Sequence, residues 1–232
     1  MHRVRYHPRV SPVSVVIPAL DEAARIGAAI DSAFAAGAAE VIVADGGSSD
    51  ATVAIARDRG ARIIEGERMR SRQMNRGAES ANGDALIFLH ADTLLPPGAA
   101  DAVTRSLNSG IVFGGFRLAF REDAWRLRVA AFMINARNAI TRCPWGDQAQ
   151  FIRRDVFLAA GGFREIAIME DYELAIRMKR RGRTVVLPQK VQTSGRRFLE
   201  KGVLRTAAIN WRIIVAWRRG ADPEKLAQIY RV

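Results

Sequence analysis

The amino-acid sequence predicts an α/β protein in which helices flank a Rossmann-like, mostly parallel sheet. From residue 13 to about residue 110, short runs rich in β-branched residues alternate with segments of helix length, as in successive βαβ units. The run at 85–90 begins with five apolar residues and lies between Gly83-Asp84 and Pro96-Pro97. This pattern is typical of a strand that is buried on both faces of a parallel sheet. Beyond residue 200 the pattern predicts C-terminal helices.

The first half of the chain opens with a strand and an amphipathic helix. Residues 13–18 are rich in β-branched side chains and end at a proline, which indicates a strand. Ile26, Ile30 and Phe34 then recur every four residues, as on the apolar face of a helix. Further strands are predicted at 41–45, 62–65 and 85–90, with helices around 53–60 and over 70–81.

The second half of the chain has a different pattern of polar and apolar residues. Residues 113–120 alternate loosely in polarity, which favours an edge or antiparallel strand. Helices are predicted over 124–140, 172–181, 200–219 and 222–230, and short strands at 149–152, 185–187 and around Val191.

No internal repeat, low-complexity tract or long linker divides the chain. We therefore expect one domain over residues 1–232. Its parts are a nucleotide-binding half at 13–110, an acceptor or catalytic half at 111–199, and a helical extension at 200–232.

Charge and composition narrow the classes of partner. The formal net charge of +12 predicts attraction to nucleotides, nucleic acid or an anionic membrane surface. The single cysteine, Cys143, cannot form an intrachain disulfide, which fits a cytoplasmic protein. The first ten residues lack the apolar core of a signal peptide, and no run approaches the roughly 20 apolar residues of a membrane span. We expect a cytoplasmic protein, with attachment to the inner face of the membrane as an alternative.

Four aspartates stand where predicted elements begin or end: Asp45, Asp92, Asp147 and Asp171. Because parallel strands end at one edge of their sheet, Asp45 and Asp92 are expected to share a crevice there. A carboxylate after the second strand can accept hydrogen bonds from a ribose or base, and one after the fourth can bind a divalent cation. The alternative for His90 and Asp92 is a plain cap of the following helix.

The residues at 46–49 are Gly-Gly-Ser-Ser, which matches neither a P-loop nor the dinucleotide-binding glycine motif. Nucleotide binding through those loops is therefore not predicted.

Several short motifs together resemble the family-2 glycosyltransferases of GT-A fold. They are Val-Ser-Val-Val-Ile-Pro with Asp21-Glu22, Val-Ala-Asp-Gly-Gly-Ser-Ser-Asp at 43–50, Leu-His-Ala-Asp-Thr at 89–93, Gly-Gly-Phe at 161–163 and Met-Glu-Asp-Tyr-Glu-Leu at 169–174. Their order and spacing match the family over about three quarters of the chain. The Leu-His-Ala-Asp-Thr form, with Gly-Asp-Gln at 146–148 and Thr-Ser-Gly-Arg-Arg at 193–197, is similar to a small bacterial subgroup often labelled arsenosugar-type or radical-SAM-associated.

The resemblance implies roles for individual residues. Pro18, Glu22, Asp45, Ala91 and Asp92 are expected to bind the nucleotide-sugar, Asp92 to bind the metal, and Asp171, with Glu170 beside it, to deprotonate the acceptor hydroxyl. His90 replaces the first aspartate of the family's Asp-x-Asp motif, and imidazole suits Mn²⁺ better than Mg²⁺. The expected cofactor is therefore Mn²⁺ or Mg²⁺, bound by Asp92 and His90.

Basic and amide side chains complete the expected site. Arg72 on the third helix and the pair Arg196-Arg197 in a glycine-containing loop are candidates for the donor's phosphates, although a solvated basic face explains Arg72 equally well. Asp147 and Gln148 are candidates for the acceptor, with helix capping as the alternative for Asp147.

The predicted reaction is an inverting transfer of sugar from a nucleoside-diphosphate sugar to a small or lipid-linked acceptor. The alternatives are a nucleotidyltransferase and a non-catalytic basic protein that binds phosphate or a membrane surface. Nucleic acid is disfavoured, because carboxylates repel phosphate unless a cation intervenes. The apolar residues and arginines of 200–219 are candidates for packing on the domain, for a homodimer contact, or for peripheral contact with a membrane.

Overall fold

A computed structural model describes residues 10–231 of the chain, and the basic residues before Val10 lie outside that range. Its strands are β1 (Val13–Ala19), β2 (Glu40–Asp45), β3 (Arg62–Glu65), β4 (Ala85–Phe88), β5 (Ile111–Phe120), β6 (Gln150–Arg153) and β7 (Arg183–Thr193). They form one sheet in the order β3-β2-β1-β4-β6-β5-β7, and β6 alone of these seven runs antiparallel to its neighbours. The predicted α/β class with a mostly parallel, Rossmann-like sheet is confirmed.

Ten helices connect or follow these strands in the described part of the chain. They are α1 (Ile26–Ala35), α2 (Thr52–Asp58), α3 (Arg70–Ser80), α4 (Ala99–Asn108), α5 (Trp125–Thr141), α6 (Arg154–Ala159), α7 (Glu170–Lys179), α8 (Arg196–Lys201), α9 (Val203–Arg218) and α10 (Pro223–Arg231), and a 3₁₀ turn covers Gly146–Gln148. None of these helices is long and apolar enough to cross a bilayer.

The sheet separates two apolar layers because successive side chains of a strand point to opposite faces. In β1, Val15 and Ile17 pack under α1, α2 and α4, whereas Val16 packs under α3 with Met74 and Ala78. The second layer also includes residues of α6, α7, α9 and α10. Every side chain of β4 is buried, as its unbroken apolar sequence predicted.

Helix α3 approaches the sheet closely at Gly77. A Cβ atom at this position would lie 2.4 Å from Cγ1 of Val16, so a larger residue would push the helix away from β1. The close contact matters for the site, since α3 begins at Arg70 and its first turn carries Gln73, whose side chain reaches the ends of β1 and β2.

The structure corrects several predicted elements. β4 ends at Phe88 and not at residue 90, because the chain turns there and the Thr93 N–H donates to the His90 carbonyl. Of the two alternatives for 113–120, the edge strand is wrong, whereas the antiparallel one is confirmed on one side: β5 pairs antiparallel with β6 and parallel with β7. The segments at 185–187 and 191 belong to one strand, β7, and the helix predicted over 200–219 is interrupted at Gly202, whose φ is +81°.

Candidate active site

The loops that follow β1 and β2 are joined by reciprocal hydrogen bonds. The Ser49 N–H donates to the Asp21 carboxylate at 2.7 Å, and the Glu22 N–H donates to the Thr52 hydroxyl at 2.7 Å. Each loop therefore supplies the acceptors that the other loop's backbone needs. The Glu22 carboxylate accepts a hydrogen bond from Arg25 at 3.0 Å. This pair of loops forms one edge of the crevice at the carboxyl ends of the parallel strands.

Asp45, which ends β2, is buried and is largely used by its own loop. Its carboxylate accepts hydrogen bonds from the Gly47 N–H at 2.8 Å, from the Ser48 N–H at 2.9 Å and from the Ser48 hydroxyl. A carboxylate offers about four acceptor positions, so about one remains for a ligand. Pro18 lies opposite Ala44 on the neighbouring strand, beside this loop.

Gln73 of α3 ties the ends of β1 and β2 together from above. Its side-chain amide donates to the carbonyls of Ala19 and Ala44, both at 2.8 Å, and the side chain is buried. These hydrogen bonds satisfy two buried carbonyls where the strands stop. Gln73 is thus a structural support of the crevice that the sequence pattern did not reveal.

His90, Ala91 and Asp92 occupy the turn after β4. The Thr93 hydroxyl donates its proton to Asp92 at 3.2 Å and can accept the proton of the Thr193 hydroxyl, 2.9 Å away, which ties this turn to β7. Burial and the positive charge of Arg70 lower the pKa of His90 to about 4, although Asp92 and Asp171 oppose the shift. The imidazole is therefore neutral near pH 7 and keeps a nitrogen lone pair.

Asp171 lies in the first turn of α7 and is fixed by two backbone donors. The Gly146 N–H donates to Oδ2 at 2.6 Å, and the Tyr172 N–H donates to Oδ1 at 2.7 Å. A Cβ atom on Gly146 would lie 3.0 Å from both Asp171 Oδ2 and His90 Nε2. Two residues 81 positions apart, whose neighbourhood the sequence predicted only through the motif resemblance, thus meet at one glycine.

Arg70 joins this cluster through an ion pair with Glu170. Its Nε lies 2.5 Å from a carboxylate oxygen of Glu170, which is 2% exposed, whereas Arg70 is half-exposed. Burial would lower the pKa of Arg70, but the negative charges of Glu170 and Asp171 outweigh burial and raise it. Arg72 on the same helix was named from the sequence, whereas Arg70 was missed as a site residue. Its position at the N-terminus of α3 was the available signal.

Asp147 adds a carboxylate that the protein leaves partly unsatisfied. Its Oδ1 is buried and has no hydrogen-bond partner among the residues that the structure describes. Burial raises the pKa of Asp147 to about 6; Arg137 opposes this shift, and Asp171 and Asp92 add to it. Arg137 stacks on Trp145, with its Cζ 3.6 Å from the ring centre. A buried acceptor without a donor is suited to a ligand hydroxyl or a cation.

Gln148 faces the interior and not the crevice. Its amide nitrogen donates to the Phe116 carbonyl at 2.9 Å, and its oxygen accepts from the Asn138 side chain at 2.6 Å and the Trp145 N–H at 3.0 Å. The side chain is fully buried. These contacts make Gln148 a support of the loop that carries Gly146 and Asp147, and they leave its amide little capacity for an acceptor.

The three predicted phosphate-binding arginines do not converge. Arg72 pairs with Glu67 and Glu165 at the surface, and Arg196 is exposed, 3.8 Å from Glu200. Arg197 instead turns inward, where its guanidinium lies 3.4 Å from the ring centre of Tyr230 and donates to the Tyr230 carbonyl at 2.8 Å.

Tyr230 of α10 is a second residue that sequence reasoning missed. Burial raises the pKa of its hydroxyl, Arg197 and Arg70 oppose the shift, and Asp147 and Asp171 add to it. These neighbours place the last described helix beside the cluster of His90, Asp171 and Arg70. No periodicity or motif in 222–230 indicated this contact.

The available metal-binding side chains suit an ion that takes some of its ligands from the protein and the others from a bound substrate. Within residues 10–231, no three His, Cys, Asp or Glu side chains converge closely enough to hold an ion alone. Asp92 and the buried Oδ1 of Asp147 are oxygen donors, and neutral His90 is a nitrogen donor. Mg²⁺ is usually held by one or two carboxylates, substrate phosphates and water. The residues present fit that mode of binding.

Comparison with known proteins identifies the family of this chain. Residues 14–164, more than half of the chain, match the profile of glycosyl transferase family 2. The chain belongs to this family. A curated family relative, the undecaprenyl-phosphate 4-deoxy-4-formamido-L-arabinose transferase of Aeromonas hydrophila, is 32% identical over 138 residues. That match covers 53% of this chain and 42% of the relative, so the chain spans less than half of the relative's length.

Solved structures share the GT-A fold predicted for this chain. S. aureus TarS superposes with a TM-score of 0.62 at 18% identity, over 86% of this chain and 40% of that chain. Glucosyl-3-phosphoglycerate synthase from Mycobacterium tuberculosis, in complex with Mg²⁺ and uridine diphosphate, superposes with a TM-score of 0.58 at 21% identity. This second match covers 80% of the present chain and 70% of the synthase.

Proposed function

We propose that this member of glycosyl transferase family 2 transfers a sugar from a nucleoside-diphosphate sugar to a hydroxyl group of a small or lipid-linked acceptor, with inversion at the anomeric carbon. The observation that carries the proposal is the position of Asp171. Its carboxylate is fixed by the Gly146 and Tyr172 N–H groups beside the turn that carries His90 and Asp92. A base held in this way has a defined direction toward an acceptor in the crevice.

The reaction follows from a single displacement. Asp171 takes the proton of the acceptor hydroxyl, and the acceptor oxygen forms a bond to the anomeric carbon. The bond from that carbon to the diphosphate oxygen breaks on the opposite face, which inverts the configuration. In this proposal Glu170 acts indirectly: its ion pair holds Arg70 where the guanidinium can neutralise the leaving diphosphate.

The donor is proposed to bind along the joined loops of the first half. Pro18, Glu22 and Asp45 meet the base and ribose, and Ala91 lets the sugar diphosphate pass close to the backbone. Of the two arginines that begin α8, Arg197, which is held against Tyr230, is the better candidate for a phosphate contact, because Arg196 faces solvent. Arg72 is paired with two glutamates and is not needed for this arrangement.

A divalent cation, Mn²⁺ or Mg²⁺, held by Asp92 and His90 with the donor's phosphates, would neutralise charge on the departing diphosphate. The synthase of similar fold that was solved with Mg²⁺ and uridine diphosphate supports this choice. Asp147, whose buried Oδ1 has no donor within the described part of the chain, is proposed to accept a hydrogen bond from the acceptor substrate.

The finer parts of the proposal concern the acceptor and the place of action. The curated relative is named as an undecaprenyl-phosphate sugar transferase, which supports a lipid-linked acceptor and action at the inner face of the membrane. Contact of 200–219 with a membrane or with a second copy of the chain belongs to the same proposal, as does membership of the arsenosugar-type subgroup. Membership of the family favours sugar transfer over nucleotidyl transfer.

Asp171→Asn tests the assignment of the base. We expect the rate of nucleoside-diphosphate release in the presence of acceptor to fall by about 100- to 10,000-fold, the usual contribution of a general base. Uridine and guanosine diphosphates, with and without Mn²⁺, should raise the unfolding temperature of the variant and of the wild type equally.

Asp101→Asn is the matched control, since Asp101 also lies in the first turn of a helix but is exposed on α4. Turnover by Asp171→Asn within a few-fold of that of Asp101→Asn would contradict the base assignment. Failure of every tested nucleotide to stabilise the wild-type chain would contradict the proposed donor class.

A further inference from the structure

Helix α5 presents a continuous apolar stripe to solvent. Trp125, Val129, Phe132, Met133 and Ile140 recur at helical spacing and are all exposed, Phe132 at 74% and Ile140 at 85%. The buried residues of the same helix lie on its opposite side, toward β5. Large exposed apolar side chains that stand singly are ordinary, whereas a contiguous stripe of five indicates an interaction surface.

The neighbouring helix α9 has a similar surface. α9 contacts α5, and it exposes Leu204 at 84% and Trp211 at 68% while it buries Thr206 and Ile213. Each helix therefore directs an apolar stripe away from the protein core. We call the exposed side chains of α5 and α9 together the apolar ridge.

The charge of the two helices distinguishes between a second copy of the chain and a membrane as the partner that covers the apolar ridge. α5 and α9 contain six arginines and no aspartate or glutamate. Arg137 stacks on Trp145 and Arg218 donates to the Tyr172 hydroxyl, and the remaining four, Arg126, Arg128, Arg205 and Arg212, are exposed. Arg128 also lies 3.6 Å from Asp123, which precedes α5. A second copy would bring the same arginines, and like charges placed opposite one another weaken an interface. Apolar residues with tryptophan and arginine in one helix face are instead typical of helices that lie on an anionic membrane.

A groove beside the ridge is likewise lined by apolar and positively charged side chains. It has a volume of about 520 Å³ and lies between the end of β5 and α5, and Phe132 belongs to both the groove and the ridge. Its lining includes Phe120 and Leu127 with the cations Arg117, Arg128 and Lys190. The carboxylate of Glu122, which also lines the groove, accepts hydrogen bonds from Gly195 and Ser194. The groove therefore offers apolar surface and positive charge at the same place.

We infer that the apolar ridge is the surface through which this chain binds an anionic lipid bilayer, with Phe132, Met133 and Ile140 inserted among the acyl chains and the surrounding arginines at the headgroups. The inference deepens the proposed function by assigning the surface that meets the membrane, and it rests on that function only for the choice of a lipid-linked acceptor. Vesicle binding itself requires no sugar transfer.

The test uses the full chain and sedimentation with vesicles of phosphatidylglycerol and phosphatidylcholine at low salt. We expect the wild type to bind these vesicles, to bind pure phosphatidylcholine weakly, and to lose affinity as salt rises. The double variant Phe132→Asp, Met133→Asp should bind at least about tenfold more weakly, because its inserted side chains become charged. Phe34→Asp on α1 is the matched control and should bind as the wild type does.

Further measurements keep the outcomes distinct. Ile140→Asp serves as a second variant in case the double variant fails to fold, as judged by its unfolding temperature. Brominated lipids should quench wild-type tryptophan fluorescence and should quench a Trp125→Phe, Trp211→Phe variant less. Undiminished vesicle binding by both Asp-substituted ridge variants, or a wild-type dimer that these variants dissociate and that does not bind vesicles, would overturn the inference.

Failure of the membrane-binding inference can be distinguished from failure of the proposed sugar transfer. Asp171→Asn should bind vesicles as the wild type does, and the ridge variants should keep their stabilisation by uridine or guanosine diphosphate. Loss of vesicle binding with intact nucleotide binding therefore concerns the ridge alone.

Discussion

The two halves of the crevice differ in how their polar groups are satisfied. On the side of β1 and β2, the carboxylates of Asp21 and Asp45 and the amide of Gln73 are used within the protein. On the side of β4 and α7, the buried Oδ1 of Asp147 has no donor among residues 10–231, and burial keeps His90 neutral. The side of β1 and β2, which we call the first wall, is fixed by its own hydrogen bonds. The side of β4 and α7, which we call the reacting side, keeps groups that are free to bind a ligand.

This difference suggests a division of labour. Hydrogen bonds within the first wall stabilise its shape before any ligand arrives, which lowers the entropy cost of binding a donor. Unsatisfied or desolvated groups cost stability and are usually found where chemistry requires them. Changes on the reacting side should therefore affect turnover most, and changes in the first wall should affect stability most.

After Asp171→Asn, the largest effect is expected from Gly146→Ala on the reacting side. The added Cβ would lie 3.0 Å from both Asp171 Oδ2 and His90 Nε2, so these side chains must shift by a few tenths of an ångström. We expect turnover to fall by about tenfold, which is less than the roughly 100-fold loss that a misplacement of about 1 Å causes. Steady-state kinetics with thermal unfolding would separate this loss from a loss of fold.

Gly27→Ala in α1 is the control for that change, because its Cβ would make only ordinary contacts, the nearest at 3.4 Å from Ile55. If Gly146→Ala retains the turnover of Gly27→Ala, the meeting of Asp171 and His90 at Gly146 has no catalytic importance.

A smaller effect, on stability, is expected from Gln73→Met in the first wall. The change removes both hydrogen bonds to the buried carbonyls of Ala19 and Ala44. We expect the free energy of unfolding in urea to fall by about 1–3 kcal/mol, the cost of leaving buried polar groups unpaired. The turnover of the folded protein should change much less than it does in Gly146→Ala.

Gln192→Met, at an exposed position of β7, is the matched control and should leave the free energy of unfolding nearly unchanged. A Gln73→Met protein as stable as this control would show that the first wall does not depend on its internal hydrogen bonds.

The smallest expected effect is a change in how stability depends on pH. The pKa of Asp147 is raised to about 6, so the folded chain binds its proton more tightly than the unfolded chain does, and Asp147 makes stability fall as pH rises from about 4 to 6. The pKa of His90 is lowered to about 4, so His90 makes stability rise with pH between about 4 and 6.5. The two residues oppose one another over the same interval.

Asp147→Asn removes one of these opposing contributions. In the presence of a chelator, we expect the stability of this variant to rise more steeply with pH between 4 and 6 than that of the wild type. Denaturant titrations at several pH values measure this, with Asp101→Asn as the control. Identical pH profiles for wild type and Asp147→Asn would mean that Asp147 titrates normally.

Local pattern predicted most of the sheet and the position of the reacting turn. The strands β1 to β4 and the helix α3 were predicted to within about two residues, because their apolar runs and stop signals are continuous in sequence. The loose alternation of β5 left two alternatives, an edge strand or an antiparallel strand; its antiparallel pairing with β6 was among them, but its parallel pairing with β7 was not predicted. Its Gly114 packs against Phe151 and β7, which no local pattern can show.

The site was predicted in part, through motifs and not through geometry. His90, Asp92, Asp147 and Asp171 were named from the sequence, and the structure relates them electrostatically. Arg70 and Tyr230 were missed, and Arg72, Arg196 and Gln148 have contacts that turn them away from the crevice. Whether an arginine faces a site or the solvent depends on which acidic or aromatic side chain it packs against, and that side chain is often distant in sequence.

By itself, the sequence determined the α/β class, the alternation of strands and helices, and the aspartates at the ends of strands, because each depends on neighbouring residues and on the period of the backbone. Tertiary structure decided which of these side chains meet. Gly146 brings Asp171 to His90, Glu170 holds Arg70, and α5 and α9 direct their apolar stripes outward. Such contacts join residues far apart in the chain, so they arise only when the packed core fixes the distance between them.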